Sequence, residues 1–347
     1  MISLRTAINS LGYGVVGFNI LKGLTEQSKD VCYWPIGQPD IAQEHHELLQ
    51  RCVALQNTFE PTSPHLTIWH EHALHERIGK GINCGMSFFE LDTFQSRTKQ
   101  SIQCQDIFLV ASSWARDIAN KEVPNQDVRI IDIGVNSDYF RPMKINGERP
   151  YRFLNVGKIE IRKGHDILVD LFNKAFTQED DVELYISWDN PFLQEHDKKR
   201  WVNLYKDSPL GNKIHFVPRQ QDIRNEYWAA DCCIFPTRAE AICLPILESM
   251  ACDKPVITTN YSGQTAFCNT DNSFLVDIDE LEPARDGIWF HGDGNWAKIG
   301  AAQEAQFIEH MRHCYKNRIN TNLEGRKTAE RLTWNNTVKQ ILGVFNE

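Results

Sequence analysis

The sequence predicts an α/β protein with two Rossmann-like domains, each built on a parallel sheet. Short runs rich in β-branched and aromatic residues alternate with helix-type stretches along the whole chain, which is the order of parallel α/β folds. The chain has 347 residues, of which 41% are hydrophobic, and this is more than one ordinary domain core requires. A polar, turn-rich segment at residues 141–150 has the composition of an interdomain linker.

These observations divide the chain into three parts. We expect an N-terminal domain at residues 1–148, a C-terminal domain at 149–330, and a closing helix at 331–347 that packs back toward the first domain. The expected strands are Ile2–Ile8, Val31–Trp34, Leu66–Trp69, Asn83–Phe89, Ile107–Ala111, Val128–Ile131, Arg152–Val156, Val182–Ser187, Lys213–Val217, Cys232–Phe235 and Pro255–Thr258. The expected helices are Val15–Thr25, Trp114–Lys121, His165–Phe176, Leu244–Ala251 and Asn295–Lys316. Such domains bind ligands at the carboxyl ends of their strands, so we expect the active site in a cleft between them.

Composition excludes several classes of protein. Lys and Arg number 37 against 46 Asp and Glu, so the net charge is −9 and general attraction to nucleic acid is not expected. The ten cysteines form no CxxC pair, and we interpret them as buried reduced thiols. No apolar run approaches the roughly 18–20 residues that span a bilayer. The N-terminus lacks the pattern of a signal peptide, so we expect a cytoplasmic protein without a transmembrane segment.

The strongest motif runs from Phe235 to Ile257 and places two glutamates around the start of one helix. A strand ends, the following loop carries Glu240, and a helix opens with Pro245 in its first turn, so that Glu248 falls early in the helix. Backbone N–H groups and the helix dipole favour anions at such a start. Either glutamate alone is also common, as a solvated residue or as a first-turn residue that the helix dipole favours. The indication of an anion site therefore depends on the two glutamates together.

This motif resembles the signature of the family 4 glycosyltransferases, which have the GT-B fold. It follows that family's string of Pro, Glu, Leu-Pro, Glu-x-Met-Ala and Lys-Pro-Val-Ile, with seven residues between the two glutamates. The resemblance implies a catalytic role for Glu240, and it assigns Glu248 to the ribose hydroxyls of a nucleotide-sugar donor. The family's usual Gly-Phe-Gly is replaced here by Ala241, Ile242 and Cys243. We expect these three residues and the following Leu244 to contact the substrate.

A second segment, Asn155–His165, resembles the family's first strand of the donor domain. There, an Arg or Lys and a Lys-Gly pair hold the nucleotide diphosphate, which implies catalytic roles for Lys158 and Lys163 in this chain. A departing nucleoside diphosphate gains negative charge, and fixed cations stabilise it when no metal ion does so. Lys158 stands where many members have Arg, so the charge is kept but a bidentate phosphate contact is not.

The first half resembles the family more loosely. The matching segments are Phe88–Asp92, Asp106–Trp114, Ile133–Pro142 and the near-terminal Leu332–Trp334. Glu90 stands where the family often has His, which implies that it hydrogen-bonds the transferred sugar or orients the acceptor. His70 follows an expected strand, so we predict that it projects into the same cleft. Either side chain could instead be a polar cap on the sheet.

The glycine-rich segment Gly12–Gly17 fits the dinucleotide fingerprint GxGxxG and alone would suggest NAD. That fingerprint also requires an acidic residue near the end of the second strand, but Val31–Trp34 leads into proline without one. In the resemblance, this loop lets the backbone approach the donor phosphates or the acceptor, whereas the plain alternative is a tight strand-to-helix turn. The predicted substrate contacts therefore include Gly12 and Gly14, together with Pro218 and Arg219.

Two other patterns imitate metal sites, and we predict no metal at either. His70, His72 and His75 are spaced like a metallo-hydrolase site, but Leu74 replaces the required aspartate. Asp277-Ile278-Asp279 imitates the metal-binding motif of the other glycosyltransferase fold, but it lies beyond the donor motif in an expected solvated loop.

Taken together, the sequence predicts a GT-B enzyme that transfers a sugar from a nucleotide sugar to an acceptor hydroxyl. The resemblance implies retention of anomeric configuration, no metal or other cofactor, and a UDP- or GDP-linked donor. The acceptor is left open between a glycan, a lipid-linked sugar, another hydroxyl compound and a modified base in DNA, which the net charge of −9 disfavours. The alternative from another class is an NAD-type or non-catalytic Rossmann protein. The oligomeric state is not predicted.

Overall fold

The computed structural model describes residues 1–145, 147–218 and 222–346, and it confirms the predicted α/β class. The chain forms two compact units, one from Met1–Gly134 with Leu332–Glu347 and the other from Val135–Arg331. Each unit contains a six-stranded sheet whose described pairings are all parallel. Buried runs such as Ile107–Val110 and Cys232–Phe235 show why, because strands covered by helices on both faces are apolar throughout.

The sheet of the first unit has the strand order β2-β1-β3-β4-β5-β6. Its strands are β1 (Ile2–Thr6), β2 (Val31–Pro35), β3 (His65–Ile68), β4 (Asn83–Met86), β5 (Ile107–Val110) and β6 (Asp127–Ile130). Its helices are α1 (Gly12–Glu26), α2 (His46–Ala54), α3 (Ser96–Gln103), α4 (Ser113–Glu122) and, from the end of the chain, α11 (Trp334–Asn346). Parallel strands all end at the same edge of their sheet. Because β1, β3 and β4 are adjacent in this sheet, the loops that follow them are neighbours.

The sheet of the second unit has the order β12-β11-β10-β7-β8-β9, the doubly wound order of a Rossmann fold. Its strands are β7 (Tyr151–Gly157), β8 (Val182–Trp188), β9 (Ile214–Pro218), β10 (Cys232–Phe235), β11 (Val256–Asn260) and β12 (Phe274–Asp277). An antiparallel hairpin follows, made of β13 (Leu281–Arg285) and β14 (His291–Ala297). The helices are α5 (His165–Ala175), α6 (Glu195–Lys206), α7 (Arg224–Ala229), α8 (Leu244–Ala251), α9 (Ala301–Lys316) and α10 (Leu323–Arg331).

The segment predicted as a linker, residues 141–150, lies within the second unit. Two contacts hold it there. The indole N–H of Trp228 donates to the carbonyl of Arg141 at 2.8 Å, and the Arg149 guanidinium donates to the Asp231 carboxylate at 2.6 Å. The units therefore divide at Gly134, earlier in the chain than the composition indicates. The closing helix α11 packs on α1, where a Val338 methyl group occupies the space beside Gly23.

The prediction was wrong for the expected helix Asn295–Lys316, whose first residues belong to a strand. Residues 291–297 form β14, in which Trp296 pairs with Glu282 of β13, and the helix begins only at Ala301. Gly300 lies inside the expected helix and disfavours a helix interior there, while Asn295, Trp296 and Ala297 pair with β13 instead. The expected loop around Asp277 is also partly a strand, since that residue ends β12.

Candidate active site

A cluster of charged side chains lies at the carboxyl ends of β7 and β10, which are adjacent and parallel. Lys158 follows β7, and a short 3₁₀ turn next carries Arg162 and Lys163. The Lys163 ammonium donates a hydrogen bond of 2.5 Å to Oε1 of Glu240, which follows β10. The Arg162 guanidinium lies 3.2 Å from the other oxygen of the same carboxylate. The structure thus brings Lys163 and Glu240 together from positions 77 residues apart.

A second carboxylate, Glu160, extends the cluster toward Lys158. Glu160 accepts a hydrogen bond of 2.6 Å from Arg162, and its other oxygen lies 3.4 Å from the Lys158 ammonium. The side chain of Lys158 is 32% exposed, whereas those of Arg162 and Glu160 are only 7% and 8% exposed. The cluster therefore has a buried interior and an accessible lysine at one end.

The ionisation of the cluster follows from its charges. Burial alone would raise the pKa of Glu240, but the Lys163 ammonium and the Arg162 guanidinium lower it to about 2. The pKa of Glu160 is also lowered, since Arg162, Lys158 and Lys163 outweigh the effect of burial. Burial would lower the pKa of Lys163, yet the Glu240 carboxylate raises it. Lys163 and Arg162 thus face an ionised Glu240 carboxylate, and Lys158 lies at the accessible end of the cluster.

A close backbone approach holds this cluster in register. Gly164 has φ +75°, and a Cβ atom there would lie 1.9 Å from the carbonyl oxygen of Pro236. The backbone N–H of Arg238 donates to the Arg162 carbonyl at 2.7 Å, and the Thr237 hydroxyl donates to the same carbonyl at 3.2 Å. The glycine of the Lys-Gly pair is therefore required because the turn after β7 packs directly against the loop after β10.

The start of α8 is built from the residues predicted to contact substrate. Ala241, Ile242 and Cys243 are buried, and Leu244 opens the helix. Cys243 adopts a left-handed backbone with φ 55° and ψ 67°, at the position where the resembled family has its second glycine. Only glycine adopts this conformation without a steric penalty, so Cys243 retains a backbone shape that suits glycine better.

Glu248 lies in α8 and has a different environment from Glu240. Its carboxylate accepts a hydrogen bond of 2.7 Å from the Tyr227 hydroxyl of α7. Burial raises its pKa to about 7, and the Tyr227 hydrogen bond opposes the rise only in part. Two glutamates of one motif thus differ in ionisation, because Glu240 has cationic partners and the described contact of Glu248 is to a neutral hydroxyl.

In the first unit, a cluster of aromatic rings gathers at the carboxyl ends of β1, β3 and β4. The Tyr13 ring lies 5.4 Å from that of Trp69, 4.8 Å from that of His70 and 5.3 Å from that of Phe88. His70 is exposed and stacks on His72, with ring centroids 5.6 Å apart. Tyr13 stands between the two glycines that the sequence singled out, and the prediction missed it.

The expected strand Asn83–Phe89 ends earlier than predicted, at Met86, and this changes the position of Glu90. The Tyr13 hydroxyl donates to the Phe88 carbonyl at 2.9 Å and accepts from the Phe88 N–H at 3.0 Å. These bonds take the backbone groups of Phe88 out of the sheet, so Glu90 lies in a loop rather than at a strand end. Burial raises the pKa of Tyr13 well above its usual value, with contributions from the Glu71 and Glu90 carboxylates.

The two glycines of this loop have different surroundings. A Cβ atom on Gly14 would lie 2.3 Å from the backbone nitrogen of Asn9, so tight packing of the strand-to-helix turn requires this glycine. Gly12 is exposed, and a Cβ atom there would meet nothing within 4 Å. Packing therefore accounts for Gly14 and leaves Gly12 open to a ligand.

The remaining predicted residues lie apart from the cluster or outside the described chain. Pro218 ends β9 and is exposed beside Trp188 of β8. Arg219 falls outside the described residues. Glu160, Arg162 and Tyr227 are site residues that the sequence reasoning missed. Glu160 and Arg162 lie within the segment that carries Lys158 and Lys163, but nothing in their spacing indicates that they are buried.

The histidines at positions 70, 72 and 75 do not form a metal site. His72 lies 4.0 Å from the Glu71 carboxylate, whose negative charge raises the pKa of His72. Across residues 1–145, 147–218 and 222–346, no group of three or more His, Cys, Asp and Glu side chains is arranged to hold a metal ion. All ten cysteines are free thiols, and all but Cys104 are buried. None of the helices within these ranges is long and apolar enough to cross a bilayer.

The second unit resembles a known protein family. Residues 138–288 match the family model "Glycosyl transferases group 1", and this range contains every member of the charged cluster. The chain also resembles solved structures over nearly its whole length. It superposes on sucrose-phosphate synthase from Thermosynechococcus elongatus with a TM-score of 0.70 at 16% identity, covering 99% of this chain and 98% of that one. The chain has the GT-B fold.

Two solved glycosyltransferase structures give similar superpositions. Anabaena HepE in complex with UDP-glucose gives a TM-score of 0.70 at 13% identity, with 99% of each chain covered. WaaG, a glycosyltransferase involved in lipopolysaccharide biosynthesis, gives 0.67 at 12% identity, again with 99% of each chain covered. The predicted GT-B architecture is therefore confirmed, while the narrower assignment to family 4 stays a prediction.

Curated relatives are similar over part of their length. The D-inositol 3-phosphate glycosyltransferase of Acidothermus cellulolyticus is 25% identical over 259 residues, which are 69% of this chain and 53% of that protein. An uncharacterized glycosyltransferase of Methanocaldococcus jannaschii is 26% identical over 229 residues, which are 65% of this chain and 57% of that protein. The chain thus spans about half the length of the curated relatives that it matches.

The left-handed backbone at Cys243 leads to a prediction about stability. We expect Cys243→Gly to be more stable than Cys243→Ala by about 1 kcal/mol, because both lose the thiol but only glycine relieves the left-handed conformation. At an ordinary position the order would be the reverse. Urea unfolding of the two variants measures the difference, and an alanine variant as stable as the glycine variant would contradict this account of the site.

Proposed function

We propose that this protein transfers a sugar from a nucleotide sugar to an acceptor hydroxyl, with retention of anomeric configuration and without a metal ion. The charged cluster of Lys158, Glu160, Arg162, Lys163 and Glu240 is the observation that carries this proposal. It presents fixed cations at the strand ends where Rossmann-like domains bind nucleotides. The group 1 match over residues 138–288 and the UDP-glucose bound to HepE support a nucleotide-sugar donor, and we propose UDP or GDP as its nucleotide.

The chemistry assigned to the cluster is stabilisation of the leaving group. When the bond between the anomeric carbon and the diphosphate oxygen breaks, its electron pair stays on the diphosphate. Lys163 and Lys158 then stabilise a charge that is larger in the transition state than in the bound donor. Glu240 is ionised because of its cationic partners, so it can accept hydrogen bonds from the sugar hydroxyls while holding Lys163 in place.

Retention follows if the acceptor attacks on the face that the diphosphate leaves. In this scheme the acceptor oxygen forms the new bond to the anomeric carbon, and its proton passes to an oxygen of the departing diphosphate. No protein base is then required for the transfer. The backbone around Ala241, Ile242, Cys243 and Leu244 is assigned to the transferred sugar, since it adjoins Glu240 at the start of α8. Pro218 and Arg219 are kept as further donor contacts.

Glu248 is assigned to the ribose of the donor. An ionised carboxylate can accept two hydrogen bonds from the vicinal hydroxyls, and such charge-assisted bonds are the stronger ones. With a pKa of about 7, Glu248 would be only partly ionised at neutral pH before the donor binds. Binding of the diol would favour the ionised form, so donor affinity and the protonation of Glu248 are linked.

The acceptor is assigned to the first unit. Glu90, His70 and Tyr13 gather where β3 and β4 end, and His70 is exposed there. We propose that Glu90 and His70 orient the acceptor or the transferred sugar and that the backbone at Gly12 lies beside it. A glycan, a lipid-linked sugar and other hydroxyl compounds remain the proposed classes of acceptor, and the cytoplasm remains the proposed location. The end of β2 disfavours the NAD-type alternative, since it consists of Trp34 and Pro35 rather than an acidic residue.

The function itself is tested at Lys163. We expect Lys163→Met to lower kcat by about a hundredfold or more, as the loss of a transition-state charge partner does, with a smaller change in donor affinity. The matched control is Lys174→Met, which removes an exposed lysine of α5 that pairs with Glu304. The measurement is turnover of UDP- and GDP-sugars with and without EDTA. Wild-type activity in Lys163→Met, or a strict need for added manganese, would contradict the proposal.

The ionisation of Glu248 leads to a prediction about pH. Because the ionised carboxylate is the acceptor of the ribose hydrogen bonds, donor affinity should fall about tenfold between about pH 8 and about pH 6, as Glu248 with its pKa of about 7 becomes protonated. Calorimetry with an intact nucleotide sugar avoids the titration of a free terminal phosphate. The hydrogen bond from Tyr227 lowers the pKa of Glu248 in the wild type. Tyr227→Phe removes this bond, so the midpoint should move to higher pH.

Glu248→Gln serves as the control for this series. It keeps the size of the side chain and removes its titration, so its affinity should be low and independent of pH in this range. A wild-type affinity that stays constant between the two pH values, or a glutamine variant that keeps the full pH dependence, would remove Glu248 from the ribose site.

The acceptor assignment is tested by Glu90→Gln. This change keeps the shape and hydrogen bonding of the side chain but removes its charge, so we expect turnover to fall at least about tenfold, with near-normal donor affinity and melting temperature. Asp92→Asn, two residues along the same loop, is the control. Normal turnover in Glu90→Gln, or a loss explained entirely by unfolding, would remove Glu90 from the acceptor site.

A further inference from the structure

Two large aromatic side chains lie exposed beside the charged cluster. Phe192 is 50% exposed and Trp289 is 56% exposed, and their rings meet edge to face with centroids 5.7 Å apart. Phe192 belongs to the loop after β8, and Trp289 lies at the tip of the hairpin formed by β13 and β14. Exposed aromatic surface is unfavourable in water, and such surface often marks the binding site of a partner or ligand.

The loop of Phe192 is tied directly to the turn that carries Lys158. The buried Asn190 side chain donates to the carbonyl of Ile159 at 3.0 Å and accepts from the Phe192 N–H at 3.1 Å. The Lys158 ammonium lies over the Phe192 ring, 5.4 Å from its centroid. An anion bound at Lys158 would therefore lie next to the face of this ring.

The tip that carries Trp289 is fixed by a single carboxylate. Asp286 accepts hydrogen bonds from the backbone N–H groups of Ile288, Trp289 and Phe290 at 2.8, 2.8 and 2.9 Å. The tip is therefore held in one conformation, which limits the conformational entropy that Trp289 loses when it binds a ligand.

The base of the hairpin is anchored to the loop that carries Glu240. Phe290 packs on the buried Trp296, whose indole N–H donates to Glu282 at 3.2 Å. The Arg238 guanidinium donates to the same Glu282 carboxylate at 3.3 Å, and Arg238 stands two residues before Glu240. The hairpin is thus connected to the charged cluster through Arg238, and the loop of Phe192 is connected to it through Asn190.

We propose that Phe192 and Trp289 form an aromatic platform for the nucleobase of the sugar donor. This inference rests on the proposed function, in which Lys158 and Lys163 bind the donor's diphosphate. A nucleobase is a flat π system joined to a diphosphate through one ribose. The Lys158 ammonium lies 5.4 Å from the centroid of the Phe192 ring, and the Trp289 ring lies 5.7 Å from that of Phe192, so both rings adjoin the proposed diphosphate site. Stacking on aromatic side chains is a general way to bind a base.

A lipid surface is the other partner that exposed aromatic residues could meet, but the local charges disfavour it. The hairpin carries three carboxylates, Glu282, Asp286 and Asp293, against the single guanidinium of Arg285 and the imidazole of His291. An anionic bilayer would be repelled by this balance. Lys158, in contrast, attracts a ligand whose anionic part lies beside the aromatic ring.

The experiment compares a whole nucleotide with its base-free part. UDP, GDP and inorganic pyrophosphate are titrated calorimetrically into the full-length protein and into Trp289→Ala, Phe192→Leu and Trp289→Phe. We expect the first two variants to bind UDP and GDP about tenfold more weakly and pyrophosphate as the wild type does, because base stacking alone is lost. Trp289→Phe keeps an aromatic face and should recover most of the affinity. Leu281→Ala is the control, since Leu281 is 45% exposed and pairs with Ala297 at the end of the same hairpin opposite the tip.

The outcomes separate this proposal from the function on which it rests. Wild-type UDP and GDP affinity in Trp289→Ala would overturn the platform and leave the function intact, as would an equal loss for pyrophosphate, which would indicate a structural effect. Unchanged nucleotide affinity together with lost sedimentation on anionic phospholipid vesicles would assign the tip to a membrane surface instead. If the wild type binds pyrophosphate but neither UDP nor GDP, the platform and the nucleotide-sugar donor are both wrong.

Discussion

The ion pair between Lys163 and Glu240 is the interaction on which the candidate site depends. Both side chains are largely withdrawn from water, and an unpaired charge in such a place would be strongly destabilising. The pair is tolerated because Arg162 contacts the second oxygen of Glu240. Arg162 in turn forms an ion pair with Glu160. Removal of one member therefore changes the electrostatics of the others, so the cluster acts as one unit.

The two glutamates of α8 and its preceding loop show how location sets chemistry. They are the same residue type, eight positions apart, yet the pKa of Glu240 falls to about 2 and that of Glu248 rises to about 7. Glu240, which follows β10, contacts Lys163 and Arg162, which follow the neighbouring strand β7. The described hydrogen bond of Glu248, in contrast, comes from the neutral Tyr227 hydroxyl. One carboxylate is thereby a fixed anion near neutral pH, and the other can respond to a ligand.

In the first unit, Tyr13 has an organising role similar to that of Lys163 in the second. Its hydroxyl binds both backbone groups of Phe88, which ends β4 early, and its ring contacts Trp69 and His70 after β3. The loop that carries Glu90 is therefore positioned by a side chain of α1 rather than by strand pairing. Gly14, one residue later, is explained by its packing against Asn9.

The sequence by itself determined the α/β class, most strands to within a few residues, and the motifs that contain Lys158, Lys163, Glu240 and Glu248. These features are local, because alternation of strands and helices, a proline in the first helical turn and a Lys-Gly turn are all written in neighbouring residues. The hairpin of β13 and β14 was missed since its glycines and polar residues carry no apolar alternation, and only pairing across the hairpin defines it.

Tertiary structure alone decided which of these residues meet and what their charges are. Strand order places β7 beside β10, and this brings Lys163 to Glu240 across 77 residues of chain. Burial of Arg162 and the contact of Tyr227 with Glu248 likewise depend on elements distant in sequence. A pKa depends on the distances to other charges and on the loss of solvent, and neither quantity is a property of a sequence motif. Composition and spacing therefore located the carboxylates, and packing made one of them a permanent anion and the other a titrating acid.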